Sequence, residues 1–314
     1  MSLNWAILGP GAIAKEFAQA LNNKGIKIYT VGSRTLEKAE KFAKEHNVEK
    51  AYGNYSEMLK DKKIDVVYIS TPHNNHYQYI MESLENNKHV LCEKAITVNS
   101  KELSDIIKLA QEKNLVVLEA MTIYHMPLYK ELKNIIDSGK IGSIKMLQIS
   151  FGSCKEYDVQ NRFFNKDLAG GALLDIGTYA LSFARFFMTA QPQEILTTMK
   201  KFETDVDEQS GIILRNEKDE MAVINLTMRA KMPKRGVVGG DKGFIVIDNF
   251  PRAQSATITY TDGTQEIIEV GDTCKALEYE IEDMIIAINN RNDKTLSLSY
   301  DVMKLISSIQ DKWD

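Results

Sequence analysis

Short apolar runs alternate with amphipathic stretches over the first 120 residues of the chain. The runs are typical of strands buried on both faces of a sheet, and they lie at Trp5–Leu8, Ile26–Val31, Val66–Ile69, Val90–Leu91 and Leu115–Leu118. Between them apolar residues recur at helical spacing, at about residues 12–24, 35–46, 75–86 and 100–113. This alternation predicts an α/β domain over residues 1–120, with helices on both faces of a parallel sheet.

The pattern changes after Glu119. Helices are predicted at about residues 126–138 and 171–188, with a strand at Ile144–Phe151 between them. Seven strands then follow, at about residues 194–203, 209–216, 220–228, 236–239, 243–247, 255–260 and 264–270. Helices at about 276–291 and 299–313 close the chain. We therefore expect residues 121–314 to form an α+β domain with a large, mostly antiparallel sheet, whose last helix either stays there or packs back on the first domain.

Composition and charge narrow the class of protein. The 314 residues are 44% hydrophobic and 26% charged, with a net charge of −4, so neither nucleic acid nor a membrane surface is expected as a partner. A run of about 18 apolar residues is missing, and the strand at Trp5–Leu8 argues against a signal peptide. Cys92, Cys154 and Cys274 form no C-x-x-C pair, which argues against a disulfide framework. We expect a cytoplasmic protein.

A glycine-rich turn joins the first predicted strand to the first helix, with the pattern G-x-G-x-x-A from Gly9. Gly9 permits the tight turn, Gly11 lets a pyrophosphate approach the backbone, and Ala14 lets the helix pack on the strand. The first helical residues, Ala12 and Ile13, would present free N–H groups to that anion. The place of the pattern favours a Rossmann dinucleotide site over an ordinary strand-to-helix turn.

The end of the second strand indicates which dinucleotide binds. NAD sites usually have an acidic residue there, which accepts a hydrogen bond from the ribose 2′-OH. This chain has Ser33-Arg34-Thr35, and the first acid is Glu37. Arg34 can pair with a 2′-phosphate, and Lys38, one helical turn further on, would add a second cation. We therefore predict NADP(H) over NAD(H); the alternative is that both cations are solvated surface charges.

Two further segments carry candidate catalytic residues. Glu93-Lys94-Ala95 follows a central strand, so Lys94 lies at the edge where such sheets bind ligands. The segment G-G-A-L-L-D-I-G-T-Y, residues 170–179, places Asp175 and Tyr179 on one helix face. The alternative is that Lys94 is a surface residue and Tyr179 a core aromatic.

These motifs resemble the Gfo/Idh/MocA oxidoreductase family, whose signature is G-x-G-x-x-A, then Glu-Lys-Pro, then Gly-Gly-x-x-x-Asp-x-Gly-x-His/Tyr. Within the family the chain is most similar to the dihydrodiol dehydrogenase and glucose–fructose oxidoreductase branch, in which Tyr ends the last motif. The resemblance implies that Tyr179 exchanges the alcohol proton of the substrate while Lys94 lies beside the same oxygen. It implies that Asp175 orients either Lys94 or the substrate hydroxyls.

The resemblance also implies contacts outside the catalytic residues. A cofactor loop is implied at Thr71, Pro72, His73 and His76, together with a cofactor contact from Glu93. Arg162 precedes the Gly-Gly helix, where relatives carry Arg, and it contacts either substrate or a surface carboxylate. The H-x-x-H spacing of the two histidines has no third ligand nearby in the sequence, so no metal site is expected.

The sequence departs from the family pattern at two places. Ala95 replaces the usual proline, and because a non-proline cis bond costs about 2.5–4 kcal/mol, the Lys94–Ala95 bond is expected to be trans. Close relatives often have Glu-Ala-Met-Trp-Thr-Arg at the domain junction. This chain has Glu119-Ala120-Met121-Thr122-Ile123-Tyr124 there. Losing Trp and Arg there favours a sugar or other polyol over an aromatic dihydrodiol.

The sequence therefore predicts an NADP-dependent oxidoreductase that acts on a sugar, polyol or vicinal diol. A non-catalytic protein that senses a dinucleotide on the same fold is the alternative, and retention of Lys94, Asp175 and Tyr179 favours the enzyme. A large sheet with helices on one face leaves its other face to be buried, so we expect a homodimer or a larger symmetric oligomer.

Overall fold

The computed structural model describes residues 3–291 and 295–313. The chain separates into two compact units, Met1–Ala120 with Leu277–Ser297, and Met121–Ala276 with Leu298–Asp314. The late segment that belongs to the first unit, Leu277–Ser297, therefore contains the second-last helix of the chain rather than the last one. That one domain handles the cofactor and the other the substrate remains a prediction.

The described residues form a set of helices that follow the predicted ones closely. They are α1 (Ala12–Asn23), α2 (Leu36–His46), α3 (Tyr55–Leu59), α4 (His76–Glu85), α5 (Ser100–Lys113), α6 (Thr122–His125), α7 (Pro127–Asp137), α8 (Thr178–Phe187), α9 (Ala276–Asn290) and α10 (Leu296–Gln310). Helix α9 contributes Leu277, Ile281 and Met284 to the same core as Trp5 and Phe17. Its apolar face thus belongs to the first unit.

The first unit is built on a six-stranded parallel sheet. Its strands are β1 (Trp5–Leu8), β2 (Ile28–Gly32), β3 (Lys50–Tyr52), β4 (Val66–Ile69), β5 (His89–Glu93) and β6 (Val117–Ala120). They lie in the order β3-β2-β1-β4-β5-β6, and every pair is parallel. In a doubly wound sheet of this order, ligands bind at the carboxyl ends of the strands where the order reverses, between β1 and β4.

The second unit is built on an eight-stranded sheet. Its strands are β7 (Ile144–Gly152), β8 (Pro192–Lys201), β9 (Asp207–Asn216), β10 (Met221–Thr227), β11 (Arg235–Gly240), β12 (Gly243–Asp248), β13 (Ser255–Tyr260) and β14 (Gln265–Glu269). Their order is β14-β13-β12-β11-β7-β10-β9-β8, with β7 and β10 parallel and the other pairs antiparallel. The predicted fold class, a parallel Rossmann sheet plus a mostly antiparallel one, is confirmed.

The two faces of the eight-stranded sheet differ. On one face α8 approaches so closely that a Cβ atom on Gly236 would lie 2.3 Å from Phe183 Cζ. On the other face, cross-strand pairs form one row that runs over all eight strands, and we call it the open row: Leu196, Ile213, Val223, Gln148, Val237, Val246, Thr257 and Ile267. Its end residues Leu196 and Ile267 are 69% and 70% exposed.

Three short elements were not predicted from the sequence. Strand β3 has three residues, and α3 and α6 have five and four, so none is long enough to show a hydrophobic period. The helix predicted over 171–188 differs in kind, because it begins with a π-helical turn over Leu173–Gly177 before α8. No helix within residues 3–291 or 295–313 is long and apolar enough to cross a membrane.

Candidate active site

The glycine turn after β1 has the geometry of an anion site. Gly9 has a φ of +99°, which residues with a side chain rarely adopt. Helix α1 starts at Ala12 after the N-cap residue Gly11, which offers no side chain to cap it. Ala14 is fully buried against the sheet, and its neighbour Ile13 is half-buried. The first N–H groups of this 12-residue helix therefore have no side-chain cap.

The loop after β4 closes over this turn. Ser70 Oγ donates a hydrogen bond of 2.7 Å to the carbonyl oxygen of Gly9, and a Cβ atom on Gly9 would lie 3.2 Å from Thr71 Cγ2. The hydroxyl of Thr71 is buried and has no hydrogen-bond partner among the described residues. An orphaned hydroxyl beside a helix N-terminus fits a bound pyrophosphate or ribose, since a buried polar group normally has a partner. The first unit thus fits a dinucleotide.

His76 connects this loop to the segment that carries Lys94. Its Nε2 lies 2.8 Å from the carbonyl oxygen of Thr71, and its Nδ1 lies 2.8 Å from that of Ala95. Burial holds the pKa of His76 below its ordinary value, and the backbone hydrogen bonds to Thr71 and Ala95 partly offset this. His73, after Pro72, is buried too, and its ring centroid lies 5.7 Å from that of His76. Both ring nitrogens of His76 are thus engaged by carbonyls.

The segment after β5 corrects one expectation. The Lys94–Ala95 bond is cis, not trans. The backbone that follows Lys94 is held by the fold, since the Ala95 carbonyl faces His76 and the Ile96 N–H donates to Glu119 Oε1 at 3.0 Å. These buried hydrogen bonds, rather than a proline ring, define the path of the backbone here.

Glu93 has a partner inside the first unit. Its Oε1 accepts a hydrogen bond from the hydroxyl of Tyr68, the buried aromatic residue of β4. Burial and the Glu93 carboxylate raise the pKa of Tyr68 well above its ordinary value, so the phenol stays protonated and remains the donor. This contact anchors the end of β5, directly before Lys94.

The residues predicted to select the dinucleotide follow β2. Ser33 is buried, whereas Arg34 and Lys38 are exposed. Helix α2 begins at Leu36, after Arg34, so helical spacing does not place the two cations on one face. Burial raises the pKa of Tyr55, and the Arg34 guanidinium partly offsets this, which locates Arg34 near that ring.

The second unit carries Asp175 and Tyr179. From Gly171 to Ala184 every residue is buried except Tyr179, which is half-buried. Asp175 lies in the π-helical turn and Tyr179 in the first turn of α8. The Tyr179 ring packs at 6.1 Å from the ring of Phe151, centroid to centroid. The tyrosine is thus the side chain of this segment that reaches accessible space.

That space is a cavity of about 670 Å³ within the second unit, lined by Tyr179 and Phe151. The Lys234 ammonium lies 5.0 Å over the Phe151 ring. The other residues that line the cavity include Asp248, Asn249, Arg252, Gln254, Ser255, Thr257 and Thr273, all of polar type. Donors and acceptors of this number suit a ligand with several hydroxyl groups.

Arg162 and the residues that replace the family's Trp and Arg have different surroundings. Arg162 Nη2 lies 3.8 Å from Asp175 Oδ1, so these two predicted site residues come together. Tyr124, which stands near where relatives have Trp and Arg, is buried and donates to Ser182 Oγ at 3.0 Å. Thr122 donates to the carbonyl of Pro251, which lines the cavity. Thr122 and Tyr124 thus both form hydrogen bonds within the second unit.

One residue of this region was missed by the sequence analysis. Asp207, the first residue of β9, is buried, and its Oδ2 accepts a hydrogen bond of 2.8 Å from the Leu173 N–H. Burial raises the pKa of Asp207 to about 7, against the lowering effect of the backbone N–H groups that it accepts from. No local pattern pointed to it, because an acid at the start of a strand looks like part of a turn.

A doubly wound parallel sheet with an uncapped glycine turn, joined to a second unit with an accessible tyrosine in a polar cavity, defines an NAD(P)-dependent oxidoreductase. Comparison with family models agrees. The Oxidoreductase family, NAD-binding Rossmann fold model (Gfo/Idh/MocA) matches residues 3–121, and the GFO/IDH/MocA C-terminal domain model matches residues 129–246. The chain belongs to the Gfo/Idh/MocA family.

Individual relatives agree with the branch that the motifs indicated. Trans-1,2-dihydrobenzene-1,2-diol dehydrogenase from Xenopus laevis is 34% identical over 89% of this chain and 84% of the relative. The human enzyme of the same name is 30% identical over 79% and 75%. The resemblance to the dihydrodiol dehydrogenase branch, stated above from three motifs, is confirmed.

Solved structures share the fold. An NAD-binding oxidoreductase from Klebsiella pneumoniae has a TM-score of 0.90 at 20% identity, over 99% of this chain and 96% of that one. Levoglucosan dehydrogenase in complex with NADH and levoglucosan has a TM-score of 0.89 at 18% identity, with the same coverage. A 3-ketoreductase from Actinomadura kijaniata in complex with NADP and TDP-benzene reaches 0.88 at 20% identity, over 99% and 98%. Neighbours of this fold thus include complexes with either cofactor.

Proposed function

We propose that this protein is an NADP(H)-preferring oxidoreductase that transfers a hydride between the nicotinamide and a CH–OH carbon of a sugar, polyol or vicinal diol. The observation that carries the proposal is Tyr179, the accessible residue of an otherwise buried helical segment, facing a cavity rich in hydroxyl-binding groups. The first domain, residues 1–120, would hold the cofactor, and residues 121–314 would supply the substrate pocket.

The preference for NADP(H) is supported by the chain after β2. Arg34 is exposed and follows the buried Ser33, and Glu37 is the first acid. A carboxylate at the strand end would repel a 2′-phosphate, whereas a guanidinium forms charge-assisted hydrogen bonds with it. Lys38, also exposed, adds positive charge in the first turn of α2.

The substrate class is supported by the cavity and by the names of relatives. Asn249, Gln254 and Thr273 can each donate to or accept from a hydroxyl, and all three line the cavity beside Tyr179. Relatives are named for a 1,2-diol, and one structural neighbour is a dehydrogenase in complex with levoglucosan.

The proposed mechanism gives each residue one role. When bound, the nicotinamide supplies a hydride acceptor or donor at its C4 carbon. Tyr179, as a phenolate, would take up the alcohol proton at its Oη during oxidation, and as a phenol it would return the proton during reduction. Lys94 provides a positive charge for that oxygen, and an adjacent ammonium makes a phenol a stronger acid. Asp175 orients the hydroxyl groups of the substrate.

The test is a panel of aldoses, inosose-like ketones and vicinal diols, including trans-1,2-dihydrobenzene-1,2-diol, followed by NADPH absorbance. We expect turnover of at least one member, with a higher kcat/KM for NADP(H) than for NAD(H). Lys94→Ala and Tyr179→Phe should each lower kcat by about 100-fold or more, the usual range of general acid–base catalysis. Unchanged turnover in both variants, or dinucleotide binding without turnover of any member, would favour a non-catalytic dinucleotide-binding protein instead.

The open row supports a homodimer or larger symmetric oligomer. Leu196, Ile213 and Ile267 are exposed at positions that share one sheet face, and large apolar side chains exposed on one face favour an association site. A second copy of the chain can offer the same row. The cytoplasmic location is supported by three free cysteines, of which Cys154 and Cys274 are exposed.

A further inference from the structure

The start of the segment that carries Asp175 and Tyr179 needs hydrogen-bond acceptors. The first N–H groups of any helical segment lack partners within it. The Gly170 N–H donates to the Asn165 carbonyl and the Gly171 N–H to the Phe163 carbonyl, both at 2.9 Å. The next two N–H groups, of Ala172 and Leu173, have no backbone acceptor of this kind.

A carboxylate from a distant strand accepts from both. Asp207 Oδ2 lies 2.8 Å from the Leu173 nitrogen, although the residues are 34 apart in the chain. The Ala172 N–H also hydrogen-bonds to Asp207. The N–H groups from Gly170 to Leu173 are thereby satisfied, two by the loop before the segment and two by β9.

The second glycine of the motif is explained by the same contact. Gly171 has a φ of +109°, and a Cβ atom there would lie 2.2 Å from Asp207 Oδ1. A side chain at this position would displace the carboxylate. The Gly-Gly pair and Asp207 therefore belong to one packing arrangement, although the sequence motif includes only the glycines.

We infer that Asp207 is a positioning residue, whose buried carboxylate fixes the start of the Asp175–Tyr179 segment against the sheet. This rests on the proposed function, because Tyr179 and Asp175 are the groups that it would position. Oδ2 accepts from Leu173, and Oδ1 occupies the place that a Cβ atom on residue 171 would take. An asparagine has one acceptor oxygen, so its NH2 group would face an N–H donor or crowd the glycine.

A purely structural role makes a different prediction from a positioning role. Asp207→Asn removes a buried ionisable carboxyl group at nearly constant volume. At pH 8 we therefore expect this variant to keep the stability of the fold. If Asp207 only filled the core, activity would follow stability. If it positions the segment, activity falls while stability holds.

The test compares Asp207→Asn with Glu208→Gln, the same change at the next residue of β9, which forms an ion pair with Lys200 instead. With the panel substrate that the unmodified enzyme turns over fastest, we expect kcat of Asp207→Asn to fall about 10-fold, the scale of one lost charge-assisted hydrogen bond. KM and the Kd for NADPH should change less than about threefold, and Glu208→Gln should match the unmodified enzyme. A kcat within about twofold of the unmodified enzyme would overturn the inference.

Amide hydrogen exchange provides a second measurement that does not need a substrate. In Asp207→Asn, residues 172–179 should exchange faster while β9 and β10 keep their protection. If no panel member is turned over, the proposed function fails and exchange alone decides the positioning role. Unchanged exchange at Ala172 and Leu173, or faster exchange throughout the sheet, contradicts it. Should Asp207→Asn not fold, Asp207→Ser, which keeps one small acceptor, is measured in its place.

Discussion

Arg162 and Asp175 form an ion pair with 3.8 Å between Nη2 and Oδ1, in which the Asp175 side chain is 10% exposed and that of Arg162 49%. The guanidinium also lies 4.4 Å over the Phe163 ring. The carboxylate is therefore held inside the site while the cation remains accessible to a ligand. This geometry agrees with both alternatives for Arg162, a contact with the substrate and a surface ion pair.

Arg162→Gln separates these alternatives. A half-exposed ion pair at this distance contributes at most about 1 kcal/mol to stability, so the unfolding midpoint should hardly move. If Arg162 binds substrate, KM should rise about 10-fold, with kcat within about threefold. Steady-state kinetics across the panel measure this, and Arg162→Lys, which keeps the charge, should recover part of the loss. An unchanged KM in Arg162→Gln would leave Arg162 with the ion pair alone.

Cofactor preference should depend on Arg34 more than on Lys38. Arg34→Ser should lower kcat/KM for NADP(H) by about 10- to 100-fold, because a hydrogen bond to a charged group is worth about 1.5–3 kcal/mol. The value for NAD(H) should stay within about twofold, since NAD lacks the 2′-phosphate. Lys41→Ser, at an exposed lysine of helix α2, is the control. An equal loss with both cofactors would show that Arg34 acts on the fold and not on the phosphate.

The fold was predictable wherever elements are long and regularly patterned. Strand β13 has the predicted bounds, Ser255–Tyr260, and the Asp262-Gly263 turn after it has Gly263 at a φ of +85°. Alternation and turn chemistry act locally there, so one stretch of sequence contains the whole signal. Strand β3, with three partly exposed residues, has no such signal and is defined by its pairing with β2.

The candidate residues of the site come from local motifs, whereas their supporting contacts come from distant parts of the chain. Asp175 and Tyr179 were proposed from their local spacing, and their roles stay predictions. Asp207 was not proposed, because its partner Leu173 is 34 residues away and nothing in the sequence pairs a strand acid with a helix N-terminus. The Lys94–Ala95 bond was wrongly expected to be trans because only the local cost of a cis bond can be read from the sequence, while His76 and Glu119 hold the neighbouring groups from elsewhere in the fold.

Association through the open row should be sensitive to one charge. Ile213 lies in that row between Leu196 and Val223, so Ile213→Asp places a carboxylate where a second copy would bury apolar surface. An unpaired charge in such an interface costs several kcal/mol, enough to shift a micromolar dimer to monomer. Sedimentation velocity measures this, with Thr261→Asp in the exposed β13–β14 turn as a control of equal charge. A monomer for the unmodified protein, or a dimer for Ile213→Asp, would contradict association through this face.

Asp207 should make the stability of the second unit depend on pH. Burial raises the pKa of Asp207 to about 7 from an ordinary value of 3.8, so the folded state binds the proton more tightly than the unfolded chain. The resulting stabilisation is complete below about pH 4 and is lost as pH rises through about 7. Between pH 5 and pH 8 the loss amounts to about 2.6 kcal/mol.

Asp207→Asn lacks this titration, so its stability relative to the unmodified protein should increase by the same amount over that interval. Urea unfolding at pH 5, 6, 7 and 8 measures it in a Trp5→Phe background, in which fluorescence comes from Trp313. That indole donates to Thr197 Oγ1 at 3.0 Å, so it follows the second unit. A stability difference that stays constant from pH 5 to pH 8 would mean that Asp207 does not titrate in this range, and that the carboxylate accepts from Ala172 and Leu173 in its ionised form throughout.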